Sequence, residues 1–146
     1  MSNDIFDVLK LENQLCFPLY ACSKEIVKRY KPFLDEIDLT YTQYITMMVM
    51  WQLKEINVKM LGKYLYLDSG TLTPVLKKLE TKGYISRRRS KEDERNLIIT
   101  ITDKGEALKK VAVHIPEEMS KCISVSPEEG ALLHKLLYRI LNQVTI

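Results

Sequence analysis

Apolar residues recur at three- and four-residue intervals through Leu15, Leu19, Cys22, Ile26 and Tyr30. That spacing predicts a helix with one apolar stripe, ending near Pro32. Thr40-Tyr-Thr-Gln43 reads as a capping box and opens a second helix expected to run through Leu53. The middle of that helix, Tyr44-Ile-Thr-Met-Met-Val-Met-Trp51, is apolar on nearly every side, so burial on most faces is expected. Asn57 is placed to cap a short helix from Val58 to about Tyr66. Asp68 or Ser69 is placed to cap the next, which runs to Lys82 and stops at Gly83 in the C′ position.

Beyond Gly83 the period changes from helical to alternating. Tyr84-Ile-Ser-Arg-Arg-Arg89 and Leu97-Ile-Ile-Thr-Ile-Thr102 are rich in β-branched residues, and the charged stretch Ser90-Lys-Glu-Asp-Glu-Arg95 separates them. A two-stranded hairpin is the expectation. Thr102 then caps a helix from Asp103 towards Ile115, where Pro116 interrupts. Ser126-Pro-Glu-Glu129 supplies an N-cap, a proline at the first helical position and a capping-box Glu. The helix it opens carries Leu132, Leu133, Leu136, Leu137, Ile140 and Leu141. With no internal repeat, low-complexity tract or linker, residues 1–146 read as one domain, mainly α with a small β-hairpin.

Composition narrows the class without fixing the partner. Of the 146 residues, 46% are hydrophobic and 28% charged, which is an ordinary globular balance. Net charge is only +3, so the position of the charge matters more than its sum. No apolar run approaches the roughly 20 residues of a membrane span, and no membrane partner is expected. The acidic, polar start Met1-Ser-Asn-Asp lacks a basic n-region, so a cytoplasmic protein is the expectation. Cys16, Cys22 and Cys122 form no CxxC pair and are odd in number, as suits a reducing compartment rather than a disulfide framework. His114 and His134 lie far apart, and neither a metal nor another cofactor is expected.

The order of short helix, tight turn, polar-faced helix and basic hairpin predicts a winged helix-turn-helix that reads double-stranded DNA. A helix entering the major groove, roughly 12 Å wide, needs small hydrogen-bonding residues at its leading end. Ser69, Gly70, Thr71 and Thr73 supply hydroxyls and a close approach, while Leu72, Leu76 and Leu79 hold the other face to the core. Lys77, Lys78 and Lys82 follow where phosphates would flank the helix. The hairpin adds Arg87, Arg88, Arg89, Lys91 and Arg95, and an arginine at its tip suits the minor groove. Asp93 is placed to hold Arg95 by an ion pair.

Leu67-Asp-Ser-Gly-Thr-Leu-Thr-Pro-Val-Leu-Lys-Lys-Leu-Glu80, Gly83-Tyr-Ile-Ser-Arg and Asp93-Glu-Arg95 together resemble the MarR family of bacterial transcription regulators, over nearly the whole chain. The resemblance implies a winged helix-turn-helix at about residues 58–102 and dimerisation helices at 9–33 and 103–146. It implies a homodimer whose terminal helices interlock and whose two recognition helices read a palindromic operator. The leucine-rich last helix independently suits a dimer surface.

Leu11-Glu-Asn-Gln-Leu-Cys-Phe-Pro-Leu-Tyr20, Tyr30-Lys-Pro and Leu39-Thr-Tyr-Thr-Gln-Tyr44 are similar to the organic hydroperoxide repressor branch of that family. The similarity implies that Cys16 senses organic hydroperoxides, hydrogen-bonded by Tyr30 and Tyr41 from the partner subunit, with Tyr20 close by. It also implies that Cys122 or a small cellular thiol resolves the oxidised Cys16; Cys122 matches no motif of its own. The chemistry stands without the similarity: only a thiolate attacks a peroxide efficiently, and a cysteine of pKa about 8.5 is mostly thiol at neutral pH. Donated tyrosine hydroxyls and a helix N-terminus both favour the thiolate. Pro18 leaves two arrangements: a helix that begins near Phe17 with Cys16 as its cap, or an existing helix that kinks. The first accounts for both the proline and an activated thiol. Cys22, about 240° away round the helix, reads as packing.

Two other functions compete with the hydroperoxide-responsive repressor. One keeps DNA binding but has a small aromatic ligand lodge near Tyr20, Tyr41 and Trp51 in the dimer cleft. The other is a thiol peroxidase, disfavoured by the absence of a thioredoxin-like βαβ pattern and a partnered CxxC, and by a sensor's need for one oxidation rather than turnover.

Overall fold

The computed structural model describes residues 4–145. Their elements run α1 (Cys16–Asp35), α2 (Tyr41–Leu53), β1 (Glu55–Asn57), α3 (Val58–Leu65), α4 (Ser69–Thr81), β2 (Ile85–Arg89), β3 (Leu97–Ile101), α5 (Asp103–Ala112), α6 (Ile115–Cys122) and α7 (Pro127–Val144). Two short 3₁₀ turns, Ile5–Leu9 and Leu11–Asn13, precede α1. The chain divides into two compact units, one through Ile115 and one from Pro116. No helix of the described residues is long and apolar enough to cross a membrane.

The first unit is organised around α2. Thr40 and Gln43 close the expected capping box, the Gln43 N–H donating to Thr40 Oγ1 and the Thr40 N–H to Gln43 Oε1. Met47 and Met50 are fully buried, as the all-round apolar pattern requires. Leu61 from α3, Leu72, Leu76 and Leu79 from α4, Ile85 from β2 and Ile99 from β3 complete the core. Each such side chain contributes about 1.5–3 kcal/mol by leaving water.

Two boundaries differ from expectation. Helix α1 continues past Pro32 to Asp35, because a proline's fixed φ is compatible with helix and costs one backbone bond. Burial of Leu34, 2% exposed, draws the chain onward. Helix α5 stops at Ala112, and Pro116 lies in the first turn of the following helix rather than at a helix end.

The sheet has three strands rather than the expected two. β1 pairs antiparallel with β3, which pairs antiparallel with β2, giving the order β1-β3-β2. A three-residue strand carries too little alternation to register in a pattern search, and β3 supplies the partner that makes it a strand. Lys54, with φ 68°, turns the chain from α2 into it.

The apolar stripe expected for α1 is left largely uncovered: Leu15, just before the helix, is 73% exposed, and Cys22 and Ile26 are exposed as well. In the second unit, Ser126 and Glu129 form the expected capping box and Pro127 is the first residue of α7. That helix buries none of its residues, and Leu132, Leu133, Leu137 and Tyr138 face solvent.

Candidate DNA-reading surface and thiol sensor

Asn57 caps α3 by accepting the Met60 N–H at 2.7 Å, and the left-handed Tyr66 (φ 54°) ends it. A side chain at Gly62 would stand 2.7 Å from the Leu67 carbonyl oxygen, so the turn between α3 and α4 closes tightly only over a glycine. Asp68, rather than Ser69, caps α4, accepting the Thr71 N–H at 2.7 Å. That bond holds the Asp68 carboxyl below the usual carboxylate range. At the other end, the Tyr84 N–H donates to the Leu79 carbonyl and the Gly83 N–H to that of Glu80, with Gly83 at φ 81°. This is the Schellman closure expected of a C′ glycine.

Between these caps the helix is sharply two-sided. Leu72, Val75, Leu76 and Leu79 are buried, while Ser69, Gly70, Thr71, Thr73, Lys77 and Lys78 are exposed. The Thr73 hydroxyl donates to the Ser69 carbonyl at 2.7 Å, so its oxygen retains acceptor capacity towards solvent. Pro74, inside α4, has no N–H to give the Gly70 carbonyl four residues back. The exposed face therefore offers unpaired acceptors and cations side by side.

The wing arginines are not equivalent. Arg87 pairs with Glu80 of α4 at 3.0 Å, and this contact holds the Glu80 carboxyl below its ordinary range. Arg88 pairs with Glu55 of β1 at 3.0 Å, and the same carboxylate accepts the Thr100 hydroxyl at 3.1 Å. Arg89 donates to the Glu94 carbonyl at 2.8 Å and braces the tip. Asp93 does not pair with the Arg95 guanidinium; its carboxylate accepts the Arg95 backbone N–H at 3.0 Å. A carboxylate two residues back reaches a backbone donor in a tight turn more easily than the far end of an extended side chain. Among the described residues Arg89, Lys91 and Arg95 have no ion-pair partner, so the wing's unpaired cations lie towards its tip. Glu55 and Glu80 carried no signal in the sequence, because their partners lie 33 and 7 residues away on other elements.

Cys16 is the first residue of α1 and is exposed. Leu15, not Cys16, is the cap, and it caps without a side-chain bond. The helix thus begins where Pro18 allows, and Cys16 belongs to the first turn, whose N–H groups have no partner within the helix. Tyr20, one turn on, is exposed beneath the ammonium of Lys24, 5.1 Å above its ring. Cys22 is exposed as well. Cys122 ends α6, its thiol donating to the Glu118 carbonyl at 3.6 Å.

Tyr30 and Tyr41 come together, their ring centroids 5.0 Å apart, and Tyr44 joins them at 5.8 and 6.4 Å. Burial raises the phenol pKa of all three, with Tyr44 pushed up to about 12. They therefore stay protonated, as hydrogen-bond donors, throughout the physiological range. Tyr44 had a sequence signal in its three-residue spacing from Tyr41. Cys16 does not reach this cluster within one chain: fourteen residues of helix separate it from Tyr30, roughly 21 Å at 1.5 Å per residue. Trp51, at the far end of α2, packs edge-on to Tyr44 and donates its indole N–H to the Gly105 carbonyl at 2.9 Å.

Comparison with known proteins finds relatives over nearly the whole chain. Residues 28–111 match the family described as transcriptional regulator SarA/Rot. The chain is 48% identical over 137 residues to the organic hydroperoxide resistance transcriptional regulator of Bacillus subtilis (strain 168), covering 94% of this chain and 93% of that one. Its fold matches a structure of reduced AbfR bound to DNA with a TM-score of 0.78 and 32% identity, over 95% of this chain and 96% of that one. A structure of disulfide-formed AbfR matches with a TM-score of 0.64 and 33% identity, over 92% and 95%.

Proposed function

The chain belongs to the MarR-like SarA/Rot family of transcriptional regulators, and on that premise we propose that it is a hydroperoxide-sensing repressor. It binds a palindromic double-stranded operator as a cytoplasmic homodimer and lets go when Cys16 is oxidised. The observation that carries this reading is the placement of Cys16: an exposed thiol in the first turn of α1, on a helix whose apolar stripe is uncovered. A second copy laid along that stripe hides the leucines and brings its own Tyr30 and Tyr41 hydroxyls to the sulfur, which the same chain's tyrosines are too distant to do.

The reaction is stoichiometric. The Cys16 thiolate attacks the terminal oxygen of an organic hydroperoxide, the O–O bond breaks, and an alcohol leaves once its oxygen takes a proton. Sulfur has given up two electrons and holds the oxygen as a sulfenic acid. A second thiol, from a small cellular compound or Cys122, then attacks that sulfur, and water departs as the disulfide forms. The enlarged group no longer fits between the dimer helices. Both recognition helices must meet one operator, about one helical turn apart, so a modest change in spacing abolishes tight binding. Each chain reacts once, so the protein is a switch and not an enzyme.

On DNA, α4 enters the major groove with Ser69, Gly70, Thr71 and Thr73 leading. Lys77 meets phosphate, Arg88 adds a contact from β2 of the wing, and Arg95, oriented by the turn that Asp93 closes, enters the minor groove.

Operator release titrated with an organic hydroperoxide tests the reading. Cys16→Ser is expected to bind DNA normally and ignore the peroxide, while Cys22→Ser behaves as the unmodified protein. Tyr30→Phe and Tyr41→Phe are expected to slow the response, and Cys122→Ser tells a resolving cysteine from a small thiol. If Cys16→Ser releases the operator at the same dose, an aromatic ligand in the dimer cleft replaces oxidation as the signal.

A further inference from the structure

Helix α2 has the tyrosine cluster at one end and the root of the wing at the other. Tyr44 is 2% exposed and packs against Tyr30 and Tyr41 on one side. Two turns along the same face, the Trp51 ring meets Tyr44 edge-on, with centroids 6.4 Å apart. The buried indole N–H then reaches the Gly105 carbonyl at 2.9 Å.

Gly105 is closely packed. A Cβ there would stand 2.8 Å from Ile101 Cγ1 and closer still to the Tyr84 carbonyl oxygen. That same oxygen accepts the Thr102 N–H at 3.0 Å, tying together the residue before β2 and the residue after β3. The N-terminal turn of α5 is thus wedged against both legs of the wing, and Trp51 grips the wedge. Close-packed interiors pass on displacement rather than absorb it.

We propose that Tyr44 and Trp51 are positioning residues that convey the state of the sensing tyrosines to the wing. When Tyr30 and Tyr41 shift, the buried Tyr44 ring between them and Trp51 pushes on Trp51. Trp51 in turn displaces Gly105 and tilts β2 and β3. Release of the operator then involves the wing's aim as well as the spacing of the recognition helices. This inference rests on the oxidation-sensing function above, and its test separates the two.

The test is Trp51→Phe, which keeps a ring against Tyr44 but removes the N–H that holds Gly105. Three quantities are measured in the dimer: operator affinity when reduced, the rate of Cys16 modification by hydroperoxide, and operator affinity after oxidation. Reduced affinity is expected within about twofold of the unmodified protein, with the modification rate unchanged. The ratio of reduced to oxidised affinity is expected to shrink by about threefold or more, as for other residues that couple distant sites. An unchanged ratio overturns the proposal, and so does a variant that binds weakly before oxidation, which would make Trp51 an ordinary core residue. The unmodified protein supplies a second measurement that needs no variant, because Trp51 is its single tryptophan. Its fluorescence is expected to change with the time course of operator release; an invariant signal during full release also overturns the proposal. If the unmodified protein fails to release at all, the sensing function falls and the relay falls with it.

Discussion

The wedge at Gly105 permits a stability argument with a sign. Replacing Gly with Ala in a helix ordinarily gains up to about 1 kcal/mol, since alanine is the better helix former and loses less backbone entropy. At Gly105 the new methyl meets Ile101 Cγ1 at 2.8 Å and a backbone carbonyl closer still. A backbone atom cannot rotate away, so overpacking at the upper end of its usual range, about 3 kcal/mol, is expected. The net loss is about 2 kcal/mol, or a fall in Tm of about 4–8 °C for a chain of this size. Gly130 in α7 provides the contrast: there the nearest atom to an added Cβ is Val125 Cγ2 at 3.7 Å, an ordinary contact. Gly130→Ala is expected to raise Tm by about 1–4 °C. Both are read by thermal unfolding at one protomer concentration, because a dimer's Tm depends on it. Gly105→Ala melting at or above the unmodified protein would refute the wedge.

The DNA surface and the tyrosine cluster give further tests. Arg95→Ala is expected to cost about 1–3 kcal/mol of operator binding. Arg88→Ala costs less, because Glu55 already holds that guanidinium; equal losses in a gel-shift titration at fixed salt would refute the distinction. Lys77→Ala is expected to weaken all sequences alike and flatten the salt slope by about one unit, whereas a loss confined to the operator would make Lys77 a base reader. Tyr44 gives an alkaline limit. Its folded pKa lies above the unfolded value of 10.0, so its contribution is complete below pH 10 and is lost as pH rises towards about 12. Two pKa units correspond to about 3 kcal/mol. Denaturant titrations between pH 9 and 12 should show that decline, and Tyr44→Phe should lessen it, leaving the part due to Tyr30 and Tyr41.

Local rules made most of the fold legible. The caps at Thr40, Asn57, Thr102 and Ser126 each accept the backbone N–H their spacing implied. These are contacts within one turn, so the sequence contains both partners. What escaped was long-range. β1 exists because β3 lies beside it, and Arg88 is held because β1 brings Glu55 there. Pro32 failed as a stop because Leu34 has a buried place to go. In the candidate site, the exposure of the leading residues of α4 was readable because it follows helical period. Asp93 was assigned the right neighbour but the wrong atom, since a turn's backbone donors do not show in composition. The contacts among Tyr30, Tyr41 and Tyr44 cross from α1 to α2, and only the resemblance had linked the first two.

The separation along α1 also fixes where the signal can be read. A thiol at the head of a twenty-residue helix and phenols near its tail cannot meet in one chain, however the side chains rotate. If they act together, the hydrogen bonds cross a dimer axis, and each sulfur reports to the other chain's α2. By two-fold symmetry the reverse bond exists as well, so oxidation of one chain disturbs donors anchored in its partner. The recognition helix expected to be disturbed is then the one packed on the partner's α2, not on the oxidised chain's own. A palindromic operator needs both half-sites engaged for tight binding. One oxidised sulfur per dimer is then expected to be enough to loosen the grip, and a mixed dimer with one Cys16→Ser chain that holds its operator under peroxide would refute it.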